Sequence, residues 1–245
     1  MKRIGYFVCG CACYLVFLGT FLYAIAFIGN LVVPRTLDGV ASVPVGRAVA
    51  IDAALLLLFA LQHSVMARRW FKESWTRIVP QPVERSTYVL LSSLALLLLF
   101  SRWEPIGGII WSVENPTGRL ILLSLFAFGW LLVLIATFLI NHFDLFGLRQ
   151  VWLYLQGRPY STLPFSTPAL YRVVRHPLYV GWLLTFWMTP TMTIAHLLFS
   201  VATTAYIVMA IQFEERDLIV SHGERYRQYR SMVPMLIPFA SRRTR

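Results

Sequence analysis

The sequence predicts an all-α fold, a polytopic transmembrane helical bundle with about five to six crossings, and three observations predict it. Of 245 residues, 58% are hydrophobic and 13% are charged, whereas an ordinary soluble domain carries roughly 45–50% apolar and about 25% charged residues. Apolar runs of about twenty residues, the length a helix needs to cross a ~30 Å hydrocarbon core, recur along the chain. The cations gather in alternate connections between those runs, as topology determinants do. The net charge of +11 is therefore spread over short clusters rather than along one soluble face, which points to membrane lipids and away from nucleic acid as partners.

The first run follows Met1-Lys2-Arg3 and extends from about Ile4 to Ile28. It is too long for the apolar core of a signal peptide and has the length of a full crossing. Residues 30–44 carry Pro34, Asp38, Gly39 and Pro44, a helix-breaking connection to a second run from about Gly46 to Met66. Arg68, Arg69 and Lys72 with Trp70 and Trp75 then form an interface belt. The third run spans about Ser86 to Trp103 and the fourth about Thr117 to Ile140. After Asn141 the pattern breaks for some thirty-five residues rich in Gly and Pro yet also in aromatics, a composition unlike a disordered linker. An ordered cap against the membrane face is expected there. The stretch from Leu178 to Phe213 is too long for one crossing and is broken by Thr189-Pro190-Thr191, which predicts a helical hairpin with a short first arm. Its second arm should run to about His222, with Gly223 ending it.

Counting cations tests this topology separately from hydropathy. The connections after the second and fourth helices hold Arg68, Arg69, Lys72, Arg77, Arg85 and Arg149, Arg158, Arg172, Arg175. The termini hold Lys2, Arg3 and Arg216, Arg225, Arg227, Arg230, Arg242, Arg243, Arg245, while the opposite loops hold little beyond Arg35 and Arg47. The asymmetry predicts six crossings, or four plus a re-entrant pair, with both termini in the cytoplasm. A single membrane domain over 1–245 is expected: four helices in 1–140, then a cytoplasmic loop, hairpin and C-terminal segment in 141–245.

Several polar groups stand out against this frame, because isolated charges near a bilayer are costly and mark sites. His63, in Gln62-His63-Ser64 at the end of the second run, reads either as a hydrogen-bonded structural group or as a ligand-facing one. Asn141-His142-Phe143-Asp144 closes the fourth run, and its His-x-Asp reads either as a carboxylate-oriented base or as a helix-end cap. Glu214-Glu215 ends the returning arm of the hairpin, where two carboxylates oppose the helix dipole and need cations such as Arg172, Arg175 or Arg216. They suit a salt-bridge network, or the hydroxyls of a polar ligand. Gly223 to Arg230 mixes cations and aromatic faces, which suits an adenine-and-carboxylate ligand or a peripheral amphipathic helix. Cys9, Cys11 and Cys13 alternate on one helix, so they cannot converge on one metal, and no metal site is expected.

Three motifs in order carry a resemblance: Arg175-His176-Pro177-Leu178-Tyr179-Val180-Gly181, Glu214-Glu215-x-x-Leu218, and Gly223-x-x-Tyr226-x-x-Tyr229 with Val233-Pro234. They resemble the signature of the integral-membrane methyltransferases that include isoprenylcysteine carboxyl methyltransferase and the phospholipid methyltransferases. Gln62 to Arg68 and Asn141 to Gln150 resemble the bacterial thiol S-methyltransferases within that group. The resemblance implies S-adenosyl-L-methionine as methyl donor, held by Tyr171, Arg175, His176, Pro177, Tyr179, Gly181, Glu214, Glu215, Tyr226 and Arg230. It implies a small-molecule thiol acceptor; because a sulfonium donor then calls for a thiolate, His142, oriented by Asp144 in the His-x-Asp on the same face, is the expected base, with Arg149 or His63 polarising the pocket. A prenylcysteine carboxylate, an ethanolamine headgroup or a non-catalytic accessory role are the alternatives. The implied location is the bacterial cytoplasmic membrane, with the active site facing the cytoplasm.

Overall fold

A computed structural model of the chain describes residues 1–238; Arg242, Arg243 and Arg245, counted above in the charge asymmetry, lie outside the described residues. In chain order the helices are α1 Lys2–Ile28, α2 Val45–Ala67, α3 Arg69–Trp75, α4 Gln81–Arg102, α5 Pro116–Leu139, α6 His142–Leu145, α7 Leu148–Leu155, α8 Pro177–Trp187, α9 Ile194–His222 and α10 Glu224–Met232. Two short strands, β1 Ile109–Ser112 and β2 Thr191–Thr193, pair antiparallel with an irregularity between Ile109 and Trp111. Five of the helices, α1, α2, α4, α5 and α9, are long and apolar enough to cross a membrane. The fold is the all-α polytopic bundle that the hydropathy predicts.

The hairpin has the short first arm that the sequence predicts, so five helices rather than six reach crossing length among the described residues. Its first arm, α8, has 11 residues and rises only about 16 Å at 1.5 Å per residue, about half of a ~30 Å core. Pro190 follows within three residues, and the chain turns extended through β2 before α9 begins. α9 ends at His222, and Gly223 takes a φ of +57°, the left-handed region that glycine enters without strain. After Asn141 the chain forms α6, α7 and a 3-10 turn at Ala169–Arg172, with residues 158–168 in irregular backbone between α7 and that turn.

The described chain groups into two compact units: residues 1–112, 141–162 and 191–198, and residues 113–140, 163–190 and 199–238. In the first, α1 packs on α4 and α7, and α2 on α4. Phe27, Phe100 and Trp103 form an aromatic core, with ring centroids 4.7 Å and 6.1 Å apart, and the Trp103 indole donates to the Leu37 carbonyl at 3.2 Å. α1 approaches α7 closely at Gly10, where a Cβ would fall 2.6 Å from Val151 Cγ2. A buried polar cluster ties the loop after α1 to the start of α9. The Asp38 carboxylate lies 2.8 Å from His196 Nδ1 and accepts from Thr193 and Asn30, and His196 is fully buried.

In the second unit α5 and α8 pack tightly, because two glycines meet. A Cβ on Gly129 would lie 2.9 Å from the Gly181 carbonyl, and one on Gly181 would lie 2.8 Å from Val133 Cγ2. Small residues let helix backbones approach where lipid offers no hydrophobic drive between them. The hairpin arms are pinned by Ser200, which donates to the Phe186 carbonyl at 2.7 Å, and by the Trp187 indole, which donates to Thr204 Oγ1 at 2.9 Å.

The Asp38 cluster gives a pH signature. Burial opposes ionisation of Asp38, but the hydrogen bonds and charge of His196, with Thr193 and Asn30, outweigh it and hold the carboxyl below its ordinary range. A group so depressed stabilises the fold above its unfolded pKa of ~3.9, and that contribution fades as pH falls through the folded value. Asp38→Asn should therefore cost about 2 kcal/mol at pH 7. Thermal unfolding in detergent should show the gap to the unsubstituted protein closing as the pH is taken below about 4.

Candidate active site

The motif residues of the second unit converge on one buried carboxylate. His176 precedes Pro177, the first residue of α8, where a missing N–H costs nothing and the fixed φ suits a helix start. Glu215 lies on α9 with a side chain only 3% exposed. Its Oε1 accepts from Arg175 Nε at 2.7 Å and lies 3.2 Å from His176 Nε2, while its Oε2 pairs with Arg230 Nε at 3.0 Å. Arg175 reaches further and donates through Nη1 to the carbonyls of Arg230 at 3.0 Å and Val233 at 2.8 Å. The backbone closes the same loop, with Arg175 N donating to the Pro234 carbonyl at 2.8 Å and His176 N to that of Met235 at 3.2 Å.

Glu214 differs from its neighbour. Its side chain is 46% exposed, it accepts from the Tyr179 hydroxyl at 3.0 Å, and it lies 3.8 Å from His176 Nδ1. Beside the two carboxylates stands an aromatic group of Phe165, Tyr226 and Tyr229, with centroids 5.5–5.7 Å apart. Burial first, and the glutamates next, push the Tyr226 phenol far above its ordinary value; burial likewise raises Tyr171, and takes Tyr229 to about 12. All three therefore stay protonated donors. Tyr229 donates to the Tyr171 carbonyl at 2.6 Å and Tyr171 to the Ala136 carbonyl at 3.4 Å. The Tyr226 hydroxyl is buried with no hydrogen-bond partner among the described residues, a costly arrangement for a polar group.

Of the expected donor-site residues, Arg175, His176, Tyr179, Glu214, Glu215 and Arg230 are thus brought together, with Tyr226 and Tyr171 beside them. Gly181 has a different surrounding. The close approach it permits is to α5, so its place in this unit is helix packing.

The first unit holds the remaining candidates. Gly147, at φ +89°, turns the chain from α6 into α7, and a Cβ there would fall 2.8 Å from the Ser86 backbone nitrogen. His142 is 5% exposed, and its Nε2 lies 2.8 Å from the hydroxyl of Tyr14 on α1. Burial pushes its imidazole below the ordinary histidine value, so it is neutral at pH 7 and able to accept a proton. The Asp144 carboxylate accepts from Arg149 at 2.9 Å, Gln150 at 3.4 Å and Tyr160 at 3.3 Å. A tyrosine remote in sequence is thus one partner of the imidazole, and Arg149 and Gln150 at the start of α7 hold the carboxylate. Arg149 also donates to the Ser161 carbonyl at 2.9 Å and lies over the Tyr160 ring. His63 sits against Tyr88 Oη at 3.0 Å and Ser92 Oγ at 3.2 Å, both on α4, with Phe59 stacked on it. Phe17 and Phe146 stack at 3.8 Å, flank His142 and pack against the Met66, Tyr88 and Val89 cluster.

Sequence reasoning missed Tyr14, Phe165 and the carbonyls of Arg230 and Val233. Tyr14 is one aromatic among several in an apolar helix, and only its i, i+4 spacing from Gly10 placed it on the face that meets α7. Carbonyl acceptors carry no residue signature at all.

Fold and site define a polytopic, all-helical membrane protein whose buried charges gather at helix ends. Among known proteins, the chain is 58% identical to a methanethiol S-methyltransferase of Crocosphaera subtropica over 96% of its own length and 92% of that protein's. It is 53% identical to a methanethiol S-methyltransferase of Mycobacterium tuberculosis over the whole of both. Nurim of Bos taurus is more distant, 32% identical over 68% of this chain and 66% of its own. No protein-family model matches the chain, and no solved structure matches it. The chain belongs to the methanethiol S-methyltransferase family, and is a membrane methyltransferase.

The two glutamates should separate by stability. Glu215→Ala strands Arg175 and His176 in a buried place and should cost about 3–5 kcal/mol. Glu214→Ala, at the exposed edge, should stay within about 1 kcal/mol of the parent. Thermal denaturation in detergent reads both.

Proposed function

We propose that the protein transfers a methyl group from S-adenosyl-L-methionine to methanethiol, giving dimethyl sulfide. The observation that carries the donor assignment is the buried, unpartnered Tyr226 hydroxyl beside a carboxylate whose oxygens are already engaged. Such a hydroxyl suits a polar ligand that completes it on binding. The donor set fits this cofactor. Glu214, half-exposed and acceptor-only, suits ribose hydroxyls. Arg230, 46% exposed, suits a carboxylate, and the Phe165, Tyr226 and Tyr229 rings suit an adenine face. Glu215 then acts by holding Arg175, His176 and Arg230 in place. Glu214 is the glutamate that touches the donor.

Bound there, S-adenosyl-L-methionine supplies a methyl already activated by its sulfonium sulfur. The protein's task is to orient the partners, exclude water and supply a thiolate. A small alkyl thiol titrates at or above the ~8.5 of a cysteine, so few molecules are ionised at neutral pH. His142, buried and neutral, takes the thiol proton, and Arg149, with Asp144 beside it, polarises the acceptor pocket together with His63. The cation asymmetry supports a cytoplasmic site in the bacterial inner membrane.

Purified protein in bilayers, given methyl-labelled donor with methanethiol, a prenylcysteine analogue or phosphatidylethanolamine in separate reactions, should yield labelled dimethyl sulfide from the first alone. Transfer to a lipid-borne acceptor instead would overturn the thiol assignment, and no transfer to any would overturn catalysis. His142→Ala should lower kcat by about 10²-fold with donor affinity unchanged by calorimetry. Near-normal turnover at pH 7 would remove the base from the scheme. Glu214→Gln should weaken donor binding about tenfold, one lost charge-assisted hydrogen bond.

A further inference from the structure

We propose that Tyr14 is a positioning residue for the acceptor side of the reaction, holding the His142 imidazole by accepting its Nε2–H while Nδ1 takes up a proton. The inference rests on the reading of His142 as base. Nothing in the His-x-Asp motif points to it, because 128 residues separate the two side chains.

The geometry is built from α1. Gly10, Tyr14 and Phe17 fall at i, i+4 and i+7, one stripe of the helix. Gly10 lets α1 close on Val151 of α7. One turn on, the Tyr14 hydroxyl comes to 2.8 Å from His142 Nε2, with the rings edge to face at 5.7 Å. One turn further, Phe17 stacks on Phe146, whose ring lies 4.7 Å from the imidazole. The imidazole is thereby walled by aromatic rings and 5% exposed, so water contributes little to a charge formed on it.

That environment sets the chemical need. When the thiol S–H bond breaks, its proton goes to the imidazole and its electron pair stays on sulfur, leaving a cation in an apolar surround. Burial opposes that charge. The neutral ring carries its proton on Nε2 and donates it to a lone pair of the Tyr14 oxygen, which leaves the Nδ1 lone pair to take the thiol proton, and the same Nε2–H bond to Tyr14 strengthens as the ring becomes cationic. A neutral phenol thus does for this histidine what a carboxylate does elsewhere. The Asp144 carboxylate is occupied with Arg149, Gln150 and Tyr160.

Tyr14→Phe in the full-length protein removes one oxygen and keeps the ring. With methanethiol its kcat should fall about 10- to 100-fold, the worth of a hydrogen bond to a charged group. The KM for the thiol and the affinity for S-adenosyl-L-methionine should stay within about twofold, well below that loss. With 2,2,2-trifluoroethanethiol, small but far more acidic, base assistance matters less, and the defect should shrink to within about threefold. His142→Ala should show the same dependence on thiol acidity, more strongly. Full activity of Tyr14→Phe with methanethiol, beside an impaired His142→Ala, would overturn the role of Tyr14 and leave the base standing. Equal loss with both thiols would also overturn it, marking a packing role only. A fully active His142→Ala would instead remove the reading on which the proposal rests. Should Tyr14→Phe fail to fold, Tyr14→Gln, which keeps a hydrogen-bonding group, is read by the same two-thiol comparison: a kcat defect confined to methanethiol supports the role, and an equal defect overturns it.

Discussion

A carboxylate buried to 3% exposure among an arginine, a histidine and a second arginine holds α8, α9 and α10 of this protein together. Apolar helices gain little from one another in lipid, since hydrocarbon is as good a neighbour as leucine. Packing of small residues sets how closely α5 and α8 approach, but it leaves the hairpin's register and the course of α10 loosely specified. Glu215 supplies what is missing. Its demand for partners draws Arg175 and His176 from the start of α8 and Arg230 from α10 to one point on α9. Because Arg175 also donates to the carbonyls of Arg230 and Val233, the segment after α10 is fastened by the same interaction. A charge costly to bury becomes an organising centre because every element it needs lies within reach.

The first unit solves a related problem with weaker tools. α1 carries one polar contact at its middle, Tyr14 with His142, and the Asp38, Asn30, Thr193 and His196 cluster lies just past its C-terminal end. Between them the interior is aromatic and aliphatic, and α1 lies against α4 along its length. Single hydrogen bonds at depth carry little energy each, yet they distinguish one rotation of a helix from the next. Gly10 and the Phe17–Phe146 stack act in the same sense, one by absence and one by shape.

The proposed chemistry divides along the same line. Holding a charged, preactivated methyl donor calls for carboxylates, cations and aromatic faces, and those belong to the second unit. Activating a small thiol calls for a neutral base in dry surroundings, and the candidates for that belong to the first. Burial has opposite consequences in the two places. Around Glu215 it strengthens ion pairs that are already complete, while around His142 it keeps the imidazole neutral and so fit to accept a proton.

Much of the frame was legible from the chain alone. Runs near Ile4–Ile28, Gly46–Met66 and Thr117–Ile140 became α1, α2 and α5 within a residue or two, because the length of an apolar run is dictated by the bilayer rather than by any partner. Thr189-Pro190-Thr191 and Gly223 marked the hairpin's turn and its end, since both act on the local backbone. The pairing of Arg175-His176 with Glu214-Glu215 was visible as charges with no other place to go. Tertiary structure alone decided that Glu215, and not Glu214, is the buried partner, that Gly181 faces α5, and that Tyr14 from α1 is a hydrogen-bond partner of His142. Two adjacent glutamates have the same chemistry, and only the rotation of α9 separates a carboxylate facing two arginines and a histidine from one at the exposed edge. A tyrosine distant in sequence leaves no mark beside the histidine it touches, because the contact is made by helix packing and not by spacing along the chain.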